Sequence, residues 1–310
     1  MIGILLAAML VFPLMGFSQY VYRIAAVSVL YAILAMSLNL IAGVAGQISL
    51  GHIAFYGIGA YTSALLCVNF GVSVWVGILA AFVVSMLFGL LIAIPTLKLS
   101  GGYLAILTMS FAEIIRLILL NWTSVTRGPM GILNIPKPSL FGYTIKSSGA
   151  FLYLVLTVAI IVYIGLHNLI HSRFGRNLQA LRDDEISSES MGINVYRYKV
   201  IAFVISTGVA GVAGALFASY MEFIDPSSFI SDESTVILSM VVLGGMGNMN
   251  GSIIAAALLT ILPEALRSFS DYRMLVYGVV LVAMMLLKIT DWAAIKRSLR
   301  TALNFKTGGK

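Results

Sequence analysis

Glu113 is the first acidic residue of this chain, and only Arg23 and Lys98 carry charge before it. An ordinary soluble domain devotes roughly 25% of its residues to charged side chains. A stretch with this composition cannot present a surface to water. The shortage extends over all 310 residues, of which 60% are hydrophobic and 10% charged; the mean hydropathy is +1.01. Apolar runs close to the ~20 residues that cross a bilayer recur along the whole length. In lipid every backbone N–H and C=O needs a partner, and a helix supplies it internally. The fold class expected is therefore an all-α polytopic membrane protein, a single transmembrane domain over residues 1–310.

Ten apolar segments can be read as transmembrane or re-entrant helices: 2–17, 22–44, 47–68, 72–97, 101–121, 150–170, 199–221, 234–246, 250–266 and 274–290. The pair 234–266 is short enough to be either two crossings or a re-entrant hairpin. No Lys or Arg precedes the first segment, so it reads as a span and not as a secretory signal. The formal charge of +7 does not point to nucleic acid, because eleven of the 19 Lys and Arg lie between Arg173 and Lys199 and from Lys288 onward. Basic clusters beside apolar spans mark cytoplasmic loops. Placing 171–198 in the cytoplasm and alternating outward puts both termini inside, with 291–310 as a basic tail. The acidic stretch 222–233 then falls outside.

Two of the apolar segments are interrupted. "AGVAGQISLG" at 42–51 and "VLGGMGNMNG" at 242–251 share one pattern: apolar arm, glycine-rich turn with polar residues, apolar arm. Interrupted segments in corresponding positions of two halves point to an internal duplication with a solute path at the breaks. Glycine also permits close helix packing, which is the plainer explanation. On the first reading Asn39, Gly46, Gln47, Ser49, Gly51, His52, Gly244, Gly245 and Asn248 border the path. Unwound backbone there would offer N–H and C=O groups to a zwitterion. On the second, the same polar residues hydrogen-bond inside a helix contact. Both stand at this point.

Catalytic chemistry has no footing. Ser49 and His52 lack a third orienting group and a G-x-S-x-G elbow. His52, His167 and His171 make no metal-ligand spacing, and Cys67, the single cysteine, sits in an apolar run. No metal, cofactor or catalytic residue is expected. Glu113 and Arg116 are three apart within a span and can neutralise each other as an intramembrane ion pair. The polar stretch 171–198 alternates charge with apolar anchors: Leu178, Leu181, Arg182, Asp183, Asp184, Glu185, Ile186, Met191, then Gly192 for a turn. That pattern suits one or two short cytoplasmic helices that dock a partner. There is no G-x-x-x-x-G-K-[ST], so any ATP-binding site of this P-loop type belongs to another subunit.

Four blocks, in order, carry a resemblance: "SLNLIAGVAGQISLGHIAFYGIGAYTSALL" (37–66), "SFAEIIRLILLNW" with "TRGPMGI" (110–132), "GRNLQALRDDEISSESMGINVYRYKVIAFVISTGVAGVAGALFA" (175–218) and "VVLGGMGNMNGSIIAAALL" (241–259). Together they resemble the permease subunits of bacterial branched-chain amino acid ABC importers, and among these the M-type member. This chain has Arg127 where members commonly carry glycine. The resemblance implies a complex in the bacterial inner membrane: a second homologous permease, two cytoplasmic ATPase subunits and an extracytoplasmic solute-binding protein. It assigns 172–198 to ATPase coupling, with a degenerate E-A-A motif that ends at Gly192. Leucine, isoleucine and valine are the solutes it implies. Related permeases for urea or short amides remain an alternative, as does a self-sufficient channel or facilitator.

Overall fold

The computed structural model describes residues 18–96, 102–140, 143–145 and 147–265, together with 278, 279 and 282. The predicted segment 2–17, nearly all of 274–290 and the tail 291–310 lie outside the described residues. The chain divides into compact units at 1–261 and 262–310; the helices below lie in the first, except that the last of them continues to Ala265.

Six helices are long and apolar enough to cross a membrane among the described residues. They are α1 (Gln19–Asn39, prolonged by a π-helical turn at Leu40–Val44), α2 (His52–Phe70), α3 (Val74–Thr96), α4 (Gly102–Asn121), α5 (Ser148–His171) and, further on, α8 (Val195–Met221). Between α5 and α8 lie two short polar helices, α6 (Arg173–Asp183) and α7 (Glu185–Ser190). After α8 come α9 (Ser231–Gly244) and α10 (Met249–Ala265), with 14 and 17 residues. Against the ten apolar segments expected, six such helices stand among the described residues, and α9 and α10 meet at their turn, where Gly244 lies against Gly251. The second segment begins at His52 and not at 47, because the chain leaves the helix at Ala45 and Gly46 takes φ +70°, a left-handed conformation open to glycine.

The core is α2, α3 and α8 packed together, with α1 lying against α5 and α8. Small residues set these contacts, since lipid leaves helices to associate by close packing. Gly59 of α2 faces Gly211 of α8 so closely that a Cβ would strike the opposing backbone, and Gly214 meets the Tyr56 carbonyl in the same way. Gly89 of α3 has the Thr207 side chain in its place. Rings of Tyr56, Phe217 and Phe229 gather where α8 ends.

One end of the bundle is finished by short strands. β1 (Ile132–Leu133) pairs antiparallel with β4 (Phe223–Ile224), and β2 (Ser139–Leu140) pairs with β3 (Tyr143–Thr144). The opposite end carries α6 and α7. From the stranded end the chain after α8 dips inward before α9 starts: Tyr31 donates to Glu233 at 2.9 Å, and the Ile53 amide donates to the Ser234 hydroxyl. Tyr31 lies ~18 Å along α1 at 1.5 Å per residue, so α9 opens deep in the bundle, and Glu233 is drawn in from the acidic stretch 222–233.

Candidate functional site

The two glycine-rich breaks meet. α1 unwinds through its π turn, where Ala45 N–H reaches back to the Leu40 carbonyl and Gln47 N–H to that of Ile41. π turns inside α-helices concentrate at functional sites. The second break turns at Gly245 and Gly247, both with positive φ, and Asn248 closes it by donating to the Gly245 carbonyl at 2.8 Å. Gly244 packs backbone to backbone against Gly251. Asn39, fully buried, accepts from the Gly247 amide at 2.8 Å through Oδ1. A Cβ on Gly43 would run into that same amide.

Arg182 of α6 closes the junction. Its Nη1 donates to the Gly43 carbonyl at 2.8 Å, while Nε and Nη2 reach Asp183. A Cβ on Gly46 would sit 2.7 Å from Arg182 Cγ, and one on Gly247 would lie 3.3 Å from Nη1. One guanidinium thus bonds to the first break and lies beside the second. Sequence reasoning placed Arg182 among the coupling residues, but nothing local announces its reach.

Gln47, Ser49 and His52 are buried within the chain, whereas Gly46 before them and Ile48 between them are exposed. Ser37 donates to the Leu34 carbonyl, so the 2.7 Å contact between Ser37 Oγ and His52 Nε2 has the imidazole as donor. His52 Nδ1, Gln47 Oε1 and Asn39 Nδ2 then stay buried with no hydrogen-bond partner. Such groups are rare and costly, about 1–3 kcal/mol each. Ser49 accepts weakly from Gly51, and Leu50 N–H is held by Thr108 of α4. A Cβ on Gly51 would strike the Thr108 carbonyl. Thr108, Ser37 and Tyr163, which donates to Asn250 beside the second break, were not expected to take part. As hydroxyls within apolar runs they gave no signal.

The polar helices are capped locally. Ser172 accepts from the Phe174 and Gly175 amides, opening α6. Asp184 takes the amide and hydroxyl of Ser187, opening α7, and these bonds hold its carboxyl below the usual carboxylate range. Leu178 and Leu181 point into the chain's own core, while Ile186 and Met191 stand 80% and 84% exposed. Gly192 turns with φ +83°. Lys199, at the start of α8, donates to Glu185 at 2.7 Å and ties α7 to the bundle. On α4, Arg116 grips both oxygens of Glu113 through Nε, and their side chains are 26% and 44% exposed. The ion pair expected from the sequence forms.

A family model described as the permease component of the branched-chain amino acid transport system matches residues 20–286. The high-affinity branched-chain amino acid transport system permease protein LivM of Salmonella typhimurium is 41% identical over 286 residues, covering 85% of this chain and 67% of that one. LivM of Escherichia coli matches to the same extent. LivH of Salmonella typhimurium, the H-type permease, is 27% identical over 282 residues, covering 84% of this chain and 90% of its own. No solved structure matches the chain.

Proposed function

We propose, for a chain that belongs to the branched-chain amino acid transport permease family, that it is the M-type membrane subunit of an ABC importer for leucine, isoleucine and valine. The observation that carries the reading is the bond of Arg182, on a polar helix outside the spans, to the Gly43 carbonyl where the two glycine-rich breaks meet. An importer powered by separate ATPases needs such a link. Two ATPase subunits dock on α6 and α7 at the cytoplasmic face of the bacterial inner membrane, a homologous H-type permease completes the pore, and a binding protein delivers solute to the stranded face. The breaks border the path, closed toward α6 by Asn39, Gly43 and Gly247, with Gln47, Ser49 and His52 behind them. The chain itself is not an enzyme.

Reconstitution tests this. Liposomes holding the chain alone should hydrolyse no ATP and take up no leucine, whereas liposomes with both permeases, the ATPases and loaded binding protein should do both. Leucine uptake by the chain alone at the rate of the full set would make it a facilitator.

The exposure of Ile186 and Met191 makes a sharper expectation. Ile186→Asp with Met191→Asp should abolish co-purification of the ATPase subunits while the permease stays inserted, because buried apolar anchors dominate such contacts. Leu181→Asp should instead cost folded protein, since Leu181 is buried within the chain. Normal ATPase retention in the double variant would remove α7 from the docking surface.

A further inference from the structure

We propose that the cavity where the ends of α1, α5 and α8 meet binds the phosphodiester headgroup of a membrane lipid. The cavity has a volume of about 210 Å³ and is lined by Arg23, Lys137, Ser147, Ser148, Ser219 and Glu222, among others. Arg23 belongs to the start of α1, Ser148 opens α5 and Ser219 lies in the last turn of α8. Three membrane-spanning helices therefore end around it, at the level where lipid phosphates lie.

Its chemistry selects a single negative charge. Lys137 pairs with Glu222 at 2.8 Å, and the two cancel. Arg23 has no carboxylate partner among the described residues; its guanidinium meets only the Met221 sulfur, at 3.9 Å. One positive charge is left over, beside the positive end of the 24-residue α5, whose N-cap Ser147 makes no side-chain capping bond. At the cavity wall Ser219 is fully buried, and its hydroxyl has no hydrogen-bond partner. A helical serine ordinarily returns its proton to the carbonyl one turn back. An anionic oxygen in the cavity supplies the acceptor that Ser219 lacks. A free amino acid is neutral overall and leaves Arg23 uncompensated, whereas a phosphodiester neutralises it. Phe151 and Tyr220, stacked at 4.4 Å, give the cavity an apolar wall along which an acyl chain can continue.

The full chain, purified in detergent and titrated with phosphatidylglycerol, can be followed by native mass spectrometry. Wild type should retain one lipid. Arg23→Gln should weaken retention about tenfold, as expected for losing a charge-assisted hydrogen bond to phosphate, and Ser219→Ala should weaken it less. Arg127→Gln, which removes an exposed arginine away from the cavity, should leave it unchanged. Inorganic phosphate and glycerol 3-phosphate should compete poorly. Equal competition by inorganic phosphate would make this a free-anion site and overturn the lipid assignment. Wild-type retention in both Arg23→Gln and Ser219→Ala overturns the proposal, as does an equal loss in Arg127→Gln. So does an Arg23→Gln protein that keeps its lipid and loses only docking of the binding protein. None of these outcomes bears on the identity of the transported solute.

Discussion

Arg182→Ala will leave the permease inserted and its ATPase subunits bound, yet leucine uptake will fall by about tenfold or more. The substitution strips the Gly43 carbonyl of its donor, and an unpaired buried acceptor costs about 1–3 kcal/mol, enough to move a two-state junction by an order of magnitude or more. The exposed Ile186 and Met191, the proposed docking residues, stay in place, so ATP hydrolysis should persist while transport does not. The ratio of leucine moved to ATP consumed is the decisive number. Arg182→Lys keeps the charge but not the planar fork and should recover part of that ratio. A thiol at position 47, in a Cys67→Ala background, gives a second readout. It should react with small water-soluble reagents only when loaded binding protein and ATP are present, and that dependence should vanish in Arg182→Ala. An unchanged ratio in Arg182→Ala would reduce the contact to packing.

Gly214→Leu will have the larger effect on the protein itself: no folded permease in the membrane fraction. A Cβ at Gly214 already collides with the Tyr56 carbonyl, and helix backbone cannot swing aside as a flexible side chain can. Overpacking of this kind belongs with the rare substitutions that cost more than about 4 kcal/mol. Gly102→Leu is the control, because nothing lies within 4 Å of its Cβ position. It should insert and fold normally. Detergent-extracted protein, followed by size exclusion and thermal melting, distinguishes the two. A well-folded Gly214→Leu would mean that α2 and α8 do not touch as described.

Much of this arrangement is legible in the sequence, for reasons that differ by element. Hydropathy located α5 and α8 to within a few residues, since a span must be apolar wherever it lies. It placed the second span five residues early because it cannot register the sign of φ at Gly46 or the π turn before it. The likeness of the two glycine breaks shows in their composition. Their contact does not, because Asn39 and Gly247 are 208 residues apart and no local pattern encodes a pairing at that distance. Leu178, Leu181, Ile186 and Met191 look alike as apolar residues among charges. Only the packing of α6 against the bundle sorts the first two inward and leaves the last two outside. Glu233 read as part of an outer loop and lies instead beside Tyr31, drawn in by a dip in the chain that composition does not mark.

The bare contact of Gly59 with Gly211, and of Gly214 with Tyr56, has a mechanical meaning as well as an energetic one. Helices that meet through long side chains can slide, since rotamers readjust as the surfaces shear. Two backbones in direct touch have no such cushion and resist sliding in either direction. α2 and α8 therefore behave as a fixed post that keeps its shape through the transport cycle. Any opening of the subunit has to pivot about this post, at segments where the chain is already unwound.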